Sequence, residues 1–571
     1  MKGALLKSYI IFIIALTVTV MFTRYQAFSH IAPWIDQLST AAWGMQLANA
    51  PHFFPQLLPG HSFYQSLLVD NQSFLNQFFR RIYIDPIQVF LLVDLASLYT
   101  LLKLFGVTYQ ICVFEGVFFS GLIVLLLGLY PFFSHKQERT PFLFAVGAIA
   151  ALLASTSFFQ MLYAPLGKHN TGAFFLLLAA FITERLFKKM HSHDSVVKCK
   201  DWLVFYLFQL LAIFTTWLVI FILPAATVFS FLISGGKKRI KHIIIYCIIV
   251  LAFACCSLAL TYFVQHGVSD KSYSDILDVS QFGHITLFFI RACISRFSVP
   301  GFVFGVWGLI LLGFYRKEWM PLMVLLSFFS LPYLVLNFTI IPAVNNRFIP
   351  YILPFLMLGF SYFIVMAFLK IKKYKKVFSV PLTLLMLFFI GWHLVIQLPI
   401  LISPDKVKNR VPSFYDNYLT QQGDVQAVIQ VVLKELPDQS AVFTWDYVEQ
   451  NLLRVLGGNK FQNKGLVMYP GLSSVLIRMD DGSLKTYLAQ TQLKIDIKRP
   501  TYFFTNNTFS KETLEQTIEK LMNYMPQNEG AKHKVSLSLI RFYPTTNRFA
   551  NPNNQTECKN GGFNLYQVIF S

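Results

Sequence analysis

Long apolar runs separated by short basic clusters recur through the first 402 residues, and they constrain the fold more than any other feature. A helix needs about 20 apolar residues to cross a bilayer, or somewhat fewer when basic residues flank it. By this measure the sequence predicts eleven spans, at 8–22, 111–133, 142–160, 173–187, a hairpin within 202–233, 243–264, 301–314, 320–336, 351–369 and 378–402. The predicted fold class is therefore a mainly α, polytopic membrane protein.

The charge distribution supports this prediction and orients the chain. Only 13% of the residues are charged, whereas a soluble domain has about 25%. A net charge of +20 would suggest a nucleic-acid partner in a soluble protein, but much of the basic charge forms short clusters such as SGGKKRIKH and KIKKYKK. Such clusters mark cytoplasmic loops. We therefore expect membrane lipids and no nucleic acid as partners, a cytoplasmic N-terminus, and segments 24–110, 161–170, 265–299 and 337–350 on the outer face.

The stretch IQVFLLVDLASLYTLLKLFG, residues 87–106, is long enough to be a twelfth span. Counting it as a span would reverse every later helix and place the basic clusters outside. Asp94 and Lys103 within it also suit an interfacial or re-entrant helix. We therefore predict that residues 87–106 belong to the outward segment 24–110 and that residues 1–402 form one transmembrane domain.

The composition changes after residue 402, because no later apolar run is long enough to span a membrane. The stretches SAVFTW, PTYFFT, SLSLIRFY and NLYQVIF are typical of strands, and SKETLEQTIEKLMNYM has the pattern of a charged helix. Residues 403–571 are therefore predicted to form a soluble α/β domain on the outer face. The seven cysteines show no metal-ligand spacing and imply no disulfide framework.

The outward segment 24–110 contains the largest group of residues that could carry chemistry. Loops of this length usually have a function or a structure of their own. Its polar residues are interleaved with aromatic ones, so it forms either interfacial helices that line a cavity or a solvated linker. The candidates are Arg24, His30, Asp36, His52, His61, Asp70, Arg80, Arg81 and Asp85.

Two shorter outward motifs add bases and amides. In IPAVNNRFIPYILP, Arg347 follows Asn346 at the outer end of a helix, where it either presents a guanidinium to a phosphate or extends into the interface. In YAPLGKHNTG, Lys168, His169 and Asn170 form either a sugar- or phosphate-binding group in a short loop or a solvated turn.

Glu115 lies inside the second predicted span, about a turn and a half from its outer end. An intramembrane carboxylate is a functional candidate by default. Its depth in the interface, or a base nearby, would explain it equally well.

The motifs that the chain lacks narrow the function. The sequence contains no P-loop, GxSxG, HExxH or Gly-rich dinucleotide fingerprint. ATP-driven transport, serine hydrolysis and zinc proteolysis therefore have no support. Since nucleotide sugars are not supplied on the outer face, a transferase there would take its sugar from a lipid-phosphate donor.

In its order of motifs the chain resembles the integral-membrane type C (GT-C) glycosyltransferases, notably the branch with protein O-mannosyltransferases and lipid A aminoarabinose transferases. The resemblance runs through PWIDQL after the first span, DPIQVFLLVDLASLYTLLKLFG, YAPLGKHNTGAFFLLLAAF and NNRFIPYILP, and covers most of residues 1–370 in layout. The family's HPPL is DPIQ here, and the loop that often carries a second acid has Lys168 and His169.

This resemblance implies a glycosyltransferase that uses a polyprenyl-phosphate-linked sugar and a lipid, glycan or protein acceptor. Separately, we expect the chain in a bacterial inner membrane. The resemblance also implies that Asp36 is the general base and that Arg347 binds the donor phosphate, with help from Lys168 and His169. Inversion at the anomeric carbon would follow from direct displacement. Further candidate substrate contacts are Asn170, Asn346, Asp85, His52 and Glu115.

No metal is required, because the histidines of the outward segment lack ligand spacing, although a divalent ion is compatible with the resemblance. Three alternatives stay open: a lipid-linked glycan flippase or transporter, an O-antigen ligase or polymerase, and a sensor whose C-terminal domain binds a ligand. A transporter should place charges along a central path through several helices, whereas this chain concentrates them in outer loops.

Overall fold

The computed structural model describes most of the membrane part and the regular elements of the C-terminal part. The described residues are 3–28, 35–54, 73–78, 86–134, 140–157, 167–191, 197–216, 218–234, 241, 243–250, 252, 287, 290–291, 293–294, 297–335, 346–372, 376–402, 425–445, 447–469, 471–473, 475–476, 495–505, 510–523, 534–544 and 562–571.

The described part of residues 1–402 is helical. Its α-helices are α1 Gly3–Phe28, α2 Ile35–Ala48, α3 Leu92–Phe105, α4 Tyr109–Gly128, α5 Tyr130–Phe133, α6 Pro141–Thr156, α7 Gly167–His191, α8 Cys199–Ile213, α9 Val219–Ser234, α10 Val299–Arg316, α11 Met320–Val335, α12 Leu353–Ile371 and α13 Lys376–Ile402. Two 3-10 helices, Pro86–Leu91 and Asn346–Tyr351, precede α3 and α12.

Among the described residues, five helices are long and apolar enough to cross a membrane: α1, α4, α7, α10 and α12. Shorter apolar stretches lie at Pro141–Thr156, Val219–Ser234, Met320–Phe329 and Ser379–Val395. The chain is thus a multi-pass membrane protein, while the count of eleven spans stays a prediction. Helix α3 has 14 residues, too few to span a bilayer.

Helices α10 and α12 approach each other until their backbones touch. A Cβ built on Gly308 would lie 1.8 Å from the carbonyl oxygen of Gly359, and one built on Gly359 would lie 2.1 Å from that of Gly305. Membrane helices gain stability from such close backbone packing, because lipid supplies little hydrophobic force between them. The three glycines therefore fix the spacing of this pair.

Arg24 was expected in the outward segment, but it lies in the last turns of α1 and is 2% exposed. Its guanidinium donates to the hydroxyl of Ser120 and to the carbonyls of Ala154, at 2.7 Å, and Ser155, at 3.3 Å. These carbonyls belong to the end of α6, where a helix has no backbone donors of its own left to pair them. Arg24 therefore joins α1, α4 and α6 as a structural residue.

A buried ion cluster closes the opposite end of α7. Glu318, 3% exposed in the turn between α10 and α11, accepts from Lys188 of α7 at 2.5 Å and from Arg316 at 3.0 Å, and the hydroxyl of Tyr130 donates to it. Burial raises the pKa of Glu318, but the charges of Lys188 and Arg316 and the donated hydrogen bonds outweigh it, so the pKa is lowered. Beside it, Glu184 of α7 accepts from the backbone N–H of Met320, at 2.8 Å.

We expect Glu318→Gln to reduce the free energy of unfolding by about 3–5 kcal/mol at neutral pH, because it removes the counter-charge of Lys188 and Arg316, whose side chains are only 11% and 16% exposed. Since the folded pKa is lowered, the contribution of Glu318 is complete above its unfolded pKa of about 4.3 and is lost as the pH falls through the folded value. Unfolding curves in detergent from neutral to acidic pH should therefore converge for the two proteins at low pH. A constant difference at every pH would contradict this assignment.

The C-terminal part contains one mixed sheet and four described helices. The strands are β1 Ala441–Thr444, β2 Val467–Met468, β3 Thr501–Thr505, β4 Val535–Pro544 and β5 Gly562–Phe570, and the helices are α14 Val425–Glu435, α15 Tyr447–Gly457, α16 Asn459–Asn463 and α17 Lys511–Asn523. The strand order is β2-β1-β3-β5-β4. Strand β1 is parallel to β2 and β3, whereas β5 is antiparallel to β3 and β4. The predicted strands and the charged helix at α17 are confirmed.

The two faces of this sheet belong to different hydrophobic cores. One face packs against α17 through a local cluster that includes Phe443, Phe503 and Leu514. The other face, with Val442 and Phe504, joins α14 and α15 in one continuous cluster with α2, α3 and the membrane helices. The C-terminal part is therefore built onto the membrane part through the layer formed by α14 and α15.

Candidate functional site

Helix α7 begins at Gly167, so Lys168, His169 and Asn170 lie in its first turn. The sequence placed these residues in a loop before a helix starting at 173, and that boundary is wrong by six residues. His169 is 2% exposed and Asn170 is 1% exposed. A solvated turn is thereby excluded for these two side chains, which are packed among other elements of the protein.

Two buried carboxylates flank the first residue of α7. A Cβ built on Gly167 would lie 2.6 Å from Oε2 of Glu115 and 3.9 Å from Oδ1 of Asp94. Glu115 is 1% and Asp94 is 0% exposed, and the hydroxyl of Ser97 donates to Oε1 of Glu115. The first N–H groups of a helix have no partner within it, so carboxyl oxygens beside that end can accept hydrogen bonds from them. Helices α3, α4 and α7 therefore meet at one polar point.

The 3-10 helix Asn346–Tyr351 packs against the same turn of α7. The hydroxyl of Tyr351, 0% exposed, lies 3.1 Å from Nδ1 of His169. The rings of Phe348 and Tyr351 both meet the His169 ring edge to face, at 5.9 and 5.8 Å between centroids. A Cβ on Gly172 would lie 2.6 Å from the Tyr351 ring. The motif that carries Arg347 and the motif that carries Lys168 thus form one structure.

Helix α2, whose first turn contains Asp36, contacts α3 and α7. An aromatic cluster holds the chain that follows it: the ring of Phe74 lies 4.6 Å from that of Phe53, 5.9 Å from that of Phe78 and 5.0 Å from that of Tyr99. Burial raises the pKa of Tyr99, and its hydroxyl donates to the carbonyl of Ala50 at 3.2 Å. The described part of the outward segment is therefore mainly packed helical structure, which contradicts the solvated linker; the cavity of the other interpretation stays a prediction.

The remaining candidates are placed less completely. The backbone of Asp36 lies in α2, that of Lys168 in α7, and those of Asn346 and Arg347 in the 3-10 helix, whereas their side chains lie outside what the structure describes. His30, His61, Asp70, Arg80, Arg81 and Asp85 lie wholly outside the described residues. His52 is exposed and forms an isolated parallel bridge with Ser73. Among the described residues, no three His, Cys, Asp or Glu side chains form a group that could hold a metal.

Sequence reasoning missed Asp94, Ser97 and Tyr351 as members of this site. Asp94 was interpreted as a sign of an interfacial helix, but it is fully buried. Its spacing to Ser97 is i,i+3, which places both on one helix face, and this was the available signal. Tyr351 carried no signal, because an aromatic residue at the start of an apolar helix is common in membrane proteins.

No family model and no curated protein sequence matches the chain. The crystal structure of the Archaeoglobus fulgidus oligosaccharyltransferase in complex with zinc and sulfate aligns with a TM-score of 0.47 and 11% identity, over 95% of this chain and 74% of that one. ArnT from Cupriavidus metallidurans in the apo state aligns with a TM-score of 0.48 and 10% identity, over 98% of both chains. Both are GT-C glycosyltransferases, of the class that the sequence resembles. Because both scores are below 0.5, a functional assignment must rest on the residues of this chain.

We expect Gly167→Ala to reduce the free energy of unfolding by about 1–3 kcal/mol, because the added methyl group overlaps a buried carboxylate. The matched control is Gly391→Ala in α13, where a Cβ would meet no atom within 4 Å. Exchange of glycine for alanine inside a helix normally stabilises it by about 0.5–1 kcal/mol. Denaturant unfolding of the three proteins in one detergent should therefore give shifts of opposite sign, and equal shifts would show that Gly167 does not need its space.

Proposed function

We propose that the chain is a membrane glycosyltransferase that moves a sugar from a polyprenyl-phosphate-linked donor to a lipid, glycan or protein acceptor at the outer face. The observation that carries this proposal is the contact between His169 of α7 and Tyr351, at 3.1 Å. It joins two motifs that the sequence singled out separately. Catalysis requires its groups close to the reacting atoms, and this contact supports the proposal because it brings together the two motifs assigned to the donor.

In this proposal Asp36 is the general base. It takes the proton of the acceptor's nucleophile while that atom attacks the anomeric carbon of the donor sugar. The bond between this carbon and the phosphate oxygen breaks in the same step, and the polyprenyl phosphate leaves with both electrons. One displacement inverts the configuration at the anomeric carbon.

The donor phosphate is assigned to Arg347, whose guanidinium offers a fork of N–H donors that matches phosphate oxygens. Lys168 adds a positive charge. His169 holds the two motifs together through its contact with Tyr351 and assists in binding the donor phosphate. The remaining candidates for sugar or acceptor contacts are Asn170, Asn346, Asp85, His52 and Glu115. Of these, Glu115 already packs against Gly167 and accepts from Ser97.

The distribution of charge along α7 favours a transferase over a transporter. Its polar residues lie at the two ends, near Gly167 and Lys188, and an apolar stretch separates them. A transport path requires polar groups at intermediate depth. Along this helix such groups are restricted to Thr183, Glu184 and Arg185 near the basic end. A site that acts at one surface of the membrane fits this distribution better.

Asp36→Asn should abolish sugar transfer, because an amide cannot take the acceptor's proton. Expression, membrane insertion and melting temperature should stay at wild-type values. The matched control is Asp438→Asn, the same chemical change at a side chain that is 78% exposed. Release of polyprenyl phosphate from a radiolabelled donor measures transfer, and a fully active Asp36→Asn protein would remove the assignment.

Arg347→Ala should weaken donor binding by about 10- to 100-fold, the equivalent of one charge-assisted hydrogen bond or a bidentate pair. Arg347→Lys keeps the positive charge but loses the two parallel N–H donors of the guanidinium, so its affinity for the donor should fall between those of the wild type and Arg347→Ala. Binding of a polyprenyl phosphate to each protein in nanodiscs gives the comparison. Equal affinity of the alanine variant and the wild type would count against the phosphate role.

A further inference from the structure

Helix α15 of the C-terminal part is covered on more than one side. Leu452, Leu453, Val455 and Leu456 are each between 0 and 4% exposed. Gly457 is buried as well, and because neighbouring positions of a helix point about 100° apart, the five buried positions spread over more than half of the helix circumference. Helix α15 contacts α14 and β1 within the C-terminal part and α2 in the outward segment. It therefore fills the space between the sheet and the membrane part.

Helix α2 is too short to be stable without contacts to other elements. It has 14 residues, and isolated helices of that length are marginal. Its buried residues, Ala41, Ala42, Met45, Leu47 and Ala48, belong to the same cluster as the buried residues of α15. Its position is consequently set by what it packs against, which is α3, α7 and α15.

A backbone contact fixes the distance between α15 and the membrane part. Gly458, which follows α15 directly, has a φ of +49° and is buried. A Cβ built on it would lie 3.2 Å from the carbonyl oxygen of Val107 and 4.0 Å from Cα of Thr108. Val107 and Thr108 form the turn between α3 and α4. A side chain at position 458 would therefore push α15 away from the elements that surround the start of α7.

We propose that the C-terminal domain is the positioning element of the transfer site: α15, seated against the α3–α4 turn at Gly458, holds α2 and thereby sets where Asp36 stands relative to α7. This inference rests on the proposed function for the role of Asp36, but the placement of α2 stands on the contacts alone. The proposal implies that the C-terminal domain affects kcat and does not affect donor binding. The donor half of the site is held by α7 and the 3-10 helix Asn346–Tyr351, which pack on each other.

The test compares two full-length variants, Gly458→Leu and Gly465→Leu. Gly465 lies in the same domain with a φ of +60°, is exposed, and a Cβ there would meet only Cγ of Gln439, at 3.7 Å. Leucine in the left-handed region costs about 1–2 kcal/mol at either position. The two variants thus share the backbone strain and differ in the contact with the membrane part.

Three measurements are made in nanodiscs: hydrogen exchange of the amides of α2, binding of a polyprenyl phosphate, and kcat with the polyprenyl-phosphate-linked sugar that the wild type consumes. For Gly458→Leu we expect faster exchange in α2, unchanged binding, and a kcat reduced about 10- to 100-fold, as for a general base displaced by about 1 Å. Gly465→Leu should match the wild type in all three. Gly458→Ala requires its neighbours to move by only a few tenths of an ångström, so it should change the exchange in α2 and kcat in the same direction but by less. This variant replaces Gly458→Leu in the test if the leucine variant does not fold.

Equal exchange in α2 for the two leucine variants would overturn the proposal. A parallel loss of binding and turnover in Gly458→Leu would also overturn it, because the effect would then extend beyond α2. If the wild-type protein consumes no polyprenyl-phosphate-linked sugar, the proposed function fails. The exchange comparison would still decide whether the C-terminal domain positions α2.

Discussion

Charged groups buried between membrane helices must be paired, because hydrocarbon offers no substitute for water. Helix α7 buries polar groups at each end and meets this requirement with an ion pair near its last turn. Its first turn abuts the carboxylates of Glu115 and Asp94, and near its last turn Lys188 pairs with Glu318. Polar contacts therefore anchor both ends of the helix, and the stretch between them is mainly apolar. The helices that supply these partners, α3, α4 and the α10–α11 turn, take their places around it.

The positions of the outward segment and of the C-terminal domain depend on the burial of apolar surface. Neither α2 nor α3 is long enough to span a bilayer, so each must bury its apolar face against other protein or at the membrane surface. The structure meets this need partly with the aromatic cluster around Phe74 and partly with α14 and α15. The composition changes clearly at residue 403, yet one continuous hydrophobic core contains residues from both sides of this boundary. The amino-acid sequence therefore divides into two parts, whereas the packed structure does not separate at the same place.

The sequence predicted well what depends on local pattern. Apolar length located the described spanning helices, and alternation located β1, β3, β4 and β5. It failed where tertiary contacts decide. The start of α7 at Gly167 was missed because KHN is polar and suggests a loop, whereas burial against Tyr351 makes it helical. Arg24 was assigned to a loop because charge normally ends a span, and the carbonyls at the end of α6, which have no backbone donors of their own, reverse that expectation. The roles of Asp36 and Arg347 remain predictions from family resemblance.

The contact between His169 and Tyr351 joins residues 182 positions apart, and the seat of α15 at Gly458 lies later still. Translation is slow compared with the formation of helices, so α1 to α7 exist for seconds before Tyr351 is made. During that time the first turn of α7 has its carboxylates but not its aromatic partner, and α2 has no α15 to rest on. A ribosome-bound chain with most of its spans inserted therefore holds an unassembled site. Strands β3, β4 and β5 follow α15 in the chain, so the sheet behind α15 can be completed only after α15 itself has been made.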